Sequence, residues 1–197
     1  GYHMGSDGYV WGREFSSRSP KSPRELELSK HWYRFMLWGR LGYDPDLPRD
    51  FFVARLADRF PSTDASALHD TWQLASKIIP TVNTFYWKNW DFMWSVENSN
   101  SYNEGFQSIE DFARGETMRG SGMLNVRDFV AGELAGEMPA GTTPVQVADS
   151  IEAFANQTIA EVEALSRENA DVDLQATLDD MRGMALLGLY YADKIRA

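Results

Sequence analysis

Trp87, Trp90 and Trp94 stand at steps of three and four residues, interleaved with Asp91, Glu97, Asn98 and Asn100. This is the side-chain mixture that grips a sugar. An indole face covers the apolar C–H face of a pyranose, while carboxylates and amides collect its hydroxyls. Area limits how much of this can stand open. Each large aromatic buries about 150–250 Å², so three uncovered rings would expose roughly 450–750 Å². A monomer rarely shows an apolar patch above about 300–600 Å². Something must cover most of these rings: the domain's own core, a junction with a neighbouring domain, or a glycan. The core comes first among the three, because it is the ordinary fate of clustered aromatics.

Catalysis needs more than this mixture. A glycosidase acid–base pair places two carboxyls about 5–10 Å apart across the scissile bond. Asp91 and Glu97 are six residues apart, which does not put them on one helical face. With 29 Asp and Glu in the chain, chance pairs are common. No catalytic residue is assigned.

Other candidates have plain structural readings beside the functional ones. Arg34 and Arg40 lie in a very apolar segment, where a charge needs a partner, so a buried ion pair or a carbonyl clamp is expected. The functional alternative is a guanidinium forked onto an anionic glycan group, and Arg40 joins the candidate carbohydrate-binding residues on that ground. Gly1–Ser6 reads as an expression-tag remnant. That leaves His31 and His69, too few and too far apart to suggest a metal site. The absence of cysteine excludes disulfides and thiol catalysis. No metal or cofactor is expected. Gly115 to Gly122, with Arg114, Arg119 and Ser121, has the glycines of a phosphate loop. It lacks a Gly-Lys-Ser/Thr ending and a preceding strand, and reads as a flexible turn. The sequon Asn156-Gln157-Thr158 falls inside an expected helix and is set aside.

The elements that must position these residues are helical. At 197 residues, 43% hydrophobic and 13% aromatic, the chain can bury a real core. A net charge of −10 opposes binding to nucleic acid or to an anionic membrane. No apolar run reaches the length of a membrane span. An irregular lead-in covers 7–21, and 22–197 reads as one helical domain. Ser22-Pro23-Arg24-Glu25 is a helix-start signature. That helix should run to about Leu41, and its second half is apolar almost all round, so it should be enclosed on several sides. A second helix is expected from about Pro48 to Phe60, capped by Asp46, with Phe52, Leu56 and Phe60 on one face. A third starts near Asp64 with Leu68, Trp72, Ala75 and Ile79 inward, and Pro80 should kink or end it.

From Thr84 to Asn125 the pattern is broken, with short helices expected at Ile109 to Arg114 and at Val126 to Leu134. Loops this long are often functional. Thr142-Thr143-Pro144 opens a long helix with Val147, Ile151, Phe154, Thr158, Val162 and Leu165 inward. After a turn at Ser166 to Asp171, Leu174, Leu178, Met181, Ala185, Gly188, Ala192 and Ile195 line the last helix. The fold class is therefore all-α, an irregular bundle of five to seven helices ending in a long antiparallel hairpin. Gly183 and Gly188, costly in a helix interior, suggest close helix contacts.

Two strings carry a likeness to a known family. Trp32-Tyr33-Arg34-Phe35-Met36-Leu37-Trp38-Gly39-Arg40-Leu41-Gly42-Tyr43-Asp44-Pro45 is one, and Met184-Ala185-Leu186-Leu187-Gly188-Leu189-Tyr190-Tyr191-Ala192-Asp193-Lys194-Ile195-Arg196 the other. Both resemble the helical region that follows the TIM barrel in large bacterial polysaccharide-degrading glycoside hydrolases of the α-glucuronidase-like kind. Asp7-Gly8-Tyr9-Val10-Trp11-Gly12-Arg13-Glu14-Phe15 looks like a chain leaving the last barrel strand. The resemblance implies a non-catalytic accessory domain packed on an upstream catalytic domain of the same polypeptide. It also implies a poly- or oligosaccharide as partner and a periplasmic or secreted setting. A free-standing carbohydrate-binding module and an independent glycoside hydrolase are the alternatives.

Overall fold

The structure, a computed structural model, describes residues 31–87, 100–101, 105–167 and 171–197. The lead-in 7–21 and the helix start at Ser22 lie outside the described residues. The chain divides into two compact units, residues 1–61 and 62–197.

The first unit contributes α1 (Trp32–Tyr43) and α2 (Arg49–Arg59). Pro48, not Asp46, precedes the first turn of α2. Asp46 instead gives its backbone N–H to Asp44 Oδ1 at 3.1 Å, so the turn closes on itself before the helix begins. The face expected from the spacing is the buried one: Phe52, Leu56 and Phe60 are all enclosed. The enclosure expected for α1 is not found. Tyr33 alone in that helix is buried, while Trp38, Leu41 and Tyr43 are exposed. Burial pushes the Tyr33 phenol up to about 12.

In the second unit, α3 (Ala65–Phe85), α6 (Pro144–Arg167) and α7 (Val172–Arg196) pack against one another. Two shorter helices, α4 (Ile109–Ala113) and α5 (Val126–Ala135), lie between α3 and α6 in sequence. A two-residue antiparallel ladder, β1 (Asn100–Ser101) with β2 (Gly105–Phe106), completes the described elements. The fold is all-α, ends in a helical hairpin, and among the described residues comprises seven helices. None of them is long and apolar enough to cross a membrane.

Each helix start in the second unit has a capping side chain. Asp64 Oδ1 accepts from the N–H groups of Ser66 and Ala67, satisfying donors the first turn leaves open. Ser108 and Asp111 form a capping box at α4. Thr143 and Gln146 do the same at α6, with Pro144 in the first turn, where no N–H is needed. Asn125 caps α5 and Asp171 caps α7.

The core stripe of α3 keeps Leu68 and Ala75 of the expected one but takes Thr71 and Ile78 in place of Trp72 and Ile79. Leu68, Thr71, Ala75, Ile78 and Val82 are buried, whereas Trp72 and Ile79 are half-buried. Pro80 does not end α3. It sits on the exposed side, where water can take the carbonyl it leaves unpaired. In α7 every residue of the expected stripe is buried.

The two helical glycines differ. At Gly188 an added Cβ would lie 3.0 Å from Ile78 Cγ2 and 3.3 Å from Ala155 Cβ, so glycine lets α7 approach both neighbouring helices. Gly183, expected to do likewise, faces open space. Gly183→Ala should therefore raise stability by about 1 kcal/mol through helix propensity alone. The same change at Gly188 should give less or reverse sign. Urea unfolding of the two variants checks the contrast.

Thr158 is fully buried in α6, and among the described residues its Oγ1 has no hydrogen-bond partner. An unsatisfied buried hydroxyl costs about 1–3 kcal/mol. Thr158→Val keeps the shape and removes that cost, so its urea midpoint should rise. A fall would show that the hydroxyl is satisfied in solution.

Candidate functional site

The aromatic run that begins at Phe85 is divided between core and surface. Phe85 and Tyr86 are buried, whereas Trp87 is 39% exposed. Trp90, Asp91, Trp94, Glu97 and Asn98 lie outside the described residues. Asn100 is placed by its backbone alone, opposite Phe106 in the short ladder. Arg40 belongs to the first unit, is exposed, and lies 5.9 Å from the Phe51 ring centroid. Arg34 is exposed as well, so neither arginine is the buried charge that the apolar segment led one to expect. An arginine on an apolar helix can lay its methylene stem on the surface and keep its head in water.

What fixes Trp87 is an aromatic cluster one residue behind it. Tyr86 meets Phe112 of α4 at 4.8 Å between ring centroids, and Phe112 meets Phe85 and Tyr191 at 6.0 Å each. Lys194 Nζ lies 4.7 Å from the Phe112 centroid and 5.5 Å from those of Tyr190 and Tyr191, a cation–π contact. Gly115 lets the chain pass close to Tyr86. A Cβ there would fall 2.2 Å from the Tyr86 ring.

Beyond Gly115 the chain runs antiparallel to the end of α3. The Trp87 N–H donates to the Glu116 carbonyl and the Met118 N–H to the Thr84 carbonyl, both at 2.7 Å. Partners in such a bridge share a face, with Cβ atoms about 4.5–5.5 Å apart. Trp87 and Glu116 are both exposed, and the bridge sets the two residues on one face. Glu116 is itself held. Its Oε1 pairs with Arg127 Nη2, and its Oε2 accepts from Asn125 Nδ2 at 3.1 Å. Asn125, 7% exposed, also donates to Asp128 Oδ2 at 3.0 Å while capping α5.

The segment 115–122 contains the turn its glycines suggested, closed by the Ser121 N–H on the Met118 carbonyl at 3.0 Å, and its ends are tied by further hydrogen bonds. Thr117 Oγ1 donates to the Met123 carbonyl, Thr142 donates its N–H to the Gly122 carbonyl, and Leu124 returns one to Thr142. Gly120 and Gly122 have positive φ, which accounts for the glycines as turn residues.

Glu116 and Arg127 escaped the sequence reading. They are eleven residues apart in a stretch read as loop and helix start; the backbone bridge joins Glu116 to Trp87, and Arg127 joins through its ion pair with Glu116. Among the described residues, no group of three His, Asp or Glu could hold a metal ion. No family model, curated protein or solved structure matches the chain.

Proposed function

We propose that this chain is a non-catalytic helical domain of a multidomain polysaccharide-degrading protein, accompanying a catalytic barrel and contributing a glycan contact centred on Trp87. One observation carries the reading. A partly open Trp87 is bridged through its backbone to Glu116, whose carboxylate is held by Arg127 and Asn125. Aromatic platforms flanked by such groups suit a pyranose with an apolar face and a polar rim.

The two strings quoted from α1 and α7 support the link to a catalytic domain. The exposed Trp38, Leu41 and Tyr43 of α1 are compatible with a neighbour on that face. The direct test is the coding sequence upstream of Asp7. About 250 residues of alternating strand and helix there would support the accessory role. A stop codon or an unrelated domain overturns it and leaves a free-standing carbohydrate-binding module. An independent hydrolase predicts cleavage of chromogenic glycosides by this chain, and none is expected.

The binding arm has its own readout. Tryptophan fluorescence titrated with polysaccharides should respond in the parent chain and not in Trp87→Ala. An identical response in the variant moves the contact away from Trp87.

A further inference from the structure

The reading of Trp87 as a glycan contact leaves open which sugars it takes, and the charges around it bear on that. Resting on that reading, we propose that Trp87, Glu116 and Arg127 form a subsite selective for neutral pyranoses. The sugar ring lies on the indole, and two neighbouring hydroxyls meet the carboxylate–guanidinium pair.

Hydrogen-bond inventory supports the pairing. A carboxylate only accepts, a guanidinium only donates, and a hydroxyl does both. One hydroxyl can therefore donate to Glu116 while its neighbour accepts from Arg127. Each Glu116 oxygen already receives one protein donor, Arg127 on Oε1 and Asn125 on Oε2, and each keeps a further lone pair for the sugar. Both side chains are more than half exposed, so a ligand can reach them. Asn125 is a positioning residue, holding Glu116 from behind while it caps the first turn of α5.

Charge excludes the acidic alternative. A uronate or sulfate group needs an arginine with charge to spare. Arg127 is neutralised by Glu116, and Arg114 is paired with Glu110. Asp128 beside Asn125 adds a further negative charge, and the chain as a whole carries −10.

The test uses affinity electrophoresis of the full chain in gels containing a neutral polysaccharide (barley β-glucan, konjac glucomannan or potato galactan) or an acidic one (polygalacturonate or alginate). At least one neutral glycan should retard the chain, and neither acidic one should. Glu116→Gln and Arg127→Met should each weaken that retardation by about tenfold or more, the loss expected when hydrogen bonds to a charged group go. Arg127→Lys should keep part of it. Thermal melting of each variant reports whether the fold persists. Retardation by polygalacturonate or alginate overturns the selectivity and leaves the carbohydrate reading standing. Variants at 116 and 127 that fold and bind like the parent, while Trp87→Ala does not, overturn the subsite. Failure of every glycan to retard the chain overturns the carbohydrate reading itself.

Discussion

Phe112→Ala is expected to destabilise residues 62–197 by about 3–5 kcal/mol, the range for deleting a buried phenyl ring. Phe112 is 3% exposed and, among the described residues, is the one ring that touches Phe85, Tyr86 and Tyr191 together. Those three come from the end of α3 and from α7, each held in place by its own helix, so the cavity left behind cannot close by moving one side chain. Poor collapse puts a substitution at the costly end of the range. Lys194 would also lose the nearest of its three ring faces. Urea unfolding followed by circular dichroism measures the loss. Phe112→Leu should recover much of it, because the volume is largely restored while the ring contacts are not. A loss below about 1 kcal/mol for the alanine variant would mean that α4 is not an integral part of the core.

What the sequence made legible follows the strength of its periodicity. α6 and α7 are long, their apolar residues recur at steps of three and four, and every residue of the α7 stripe is buried as expected. α4 and α5 stand where short helices were expected, and the structure adds their caps, Ser108 and Asn125, whose side chains bond backbone N–H groups. An all-round apolar pattern states that cover is needed, not that this fold supplies it, and Trp38, Leu41 and Tyr43 remain exposed. In α3 the aromatic Trp72 drew the expected stripe toward itself, whereas the core takes Thr71, whose hydroxyl is satisfied by the Ala67 carbonyl at 2.8 Å. A polar residue with an internal partner can be buried at little cost, and hydrophobicity patterns do not register that. Pro80, expected to kink or end α3, does not end it: the helix runs on to Phe85 with the proline on its exposed side.

The candidate site was legible as a composition and not as a geometry. Trp87 belonged to a run whose chemistry was plain, but its partners Glu116 and Arg127 come from beyond the next helix. A two-residue bridge has no period to detect. The residue that makes the bridge possible, Gly115, carries the other large expected effect.

Gly115→Ala should destabilise the fold by about 1–3 kcal/mol or more through overpacking, and should weaken glycan binding along with it. The new methyl would lie 2.2 and 2.3 Å from Tyr86 Cδ2 and Cε2, and 3.0 Å from the Phe112 carbonyl oxygen. Tyr86 cannot yield cheaply, since it is buried and packed on Phe112. Relief must come from the 115–118 strand moving outward, which lengthens the 2.7 Å bonds from Trp87 to Glu116 and from Met118 to Thr84. Indole and carboxylate would then part. Glu116→Gln makes the complementary experiment, because it removes charge at the contact and leaves the backbone bridge intact. The expected pattern is a lowered melting temperature with weakened binding for Gly115→Ala, and weakened binding at an unchanged melting temperature for Glu116→Gln. If Gly115→Ala melts like the parent, the strand has room that the close approach to Tyr86 denies, and the anchoring of Trp87 through Glu116 fails with it.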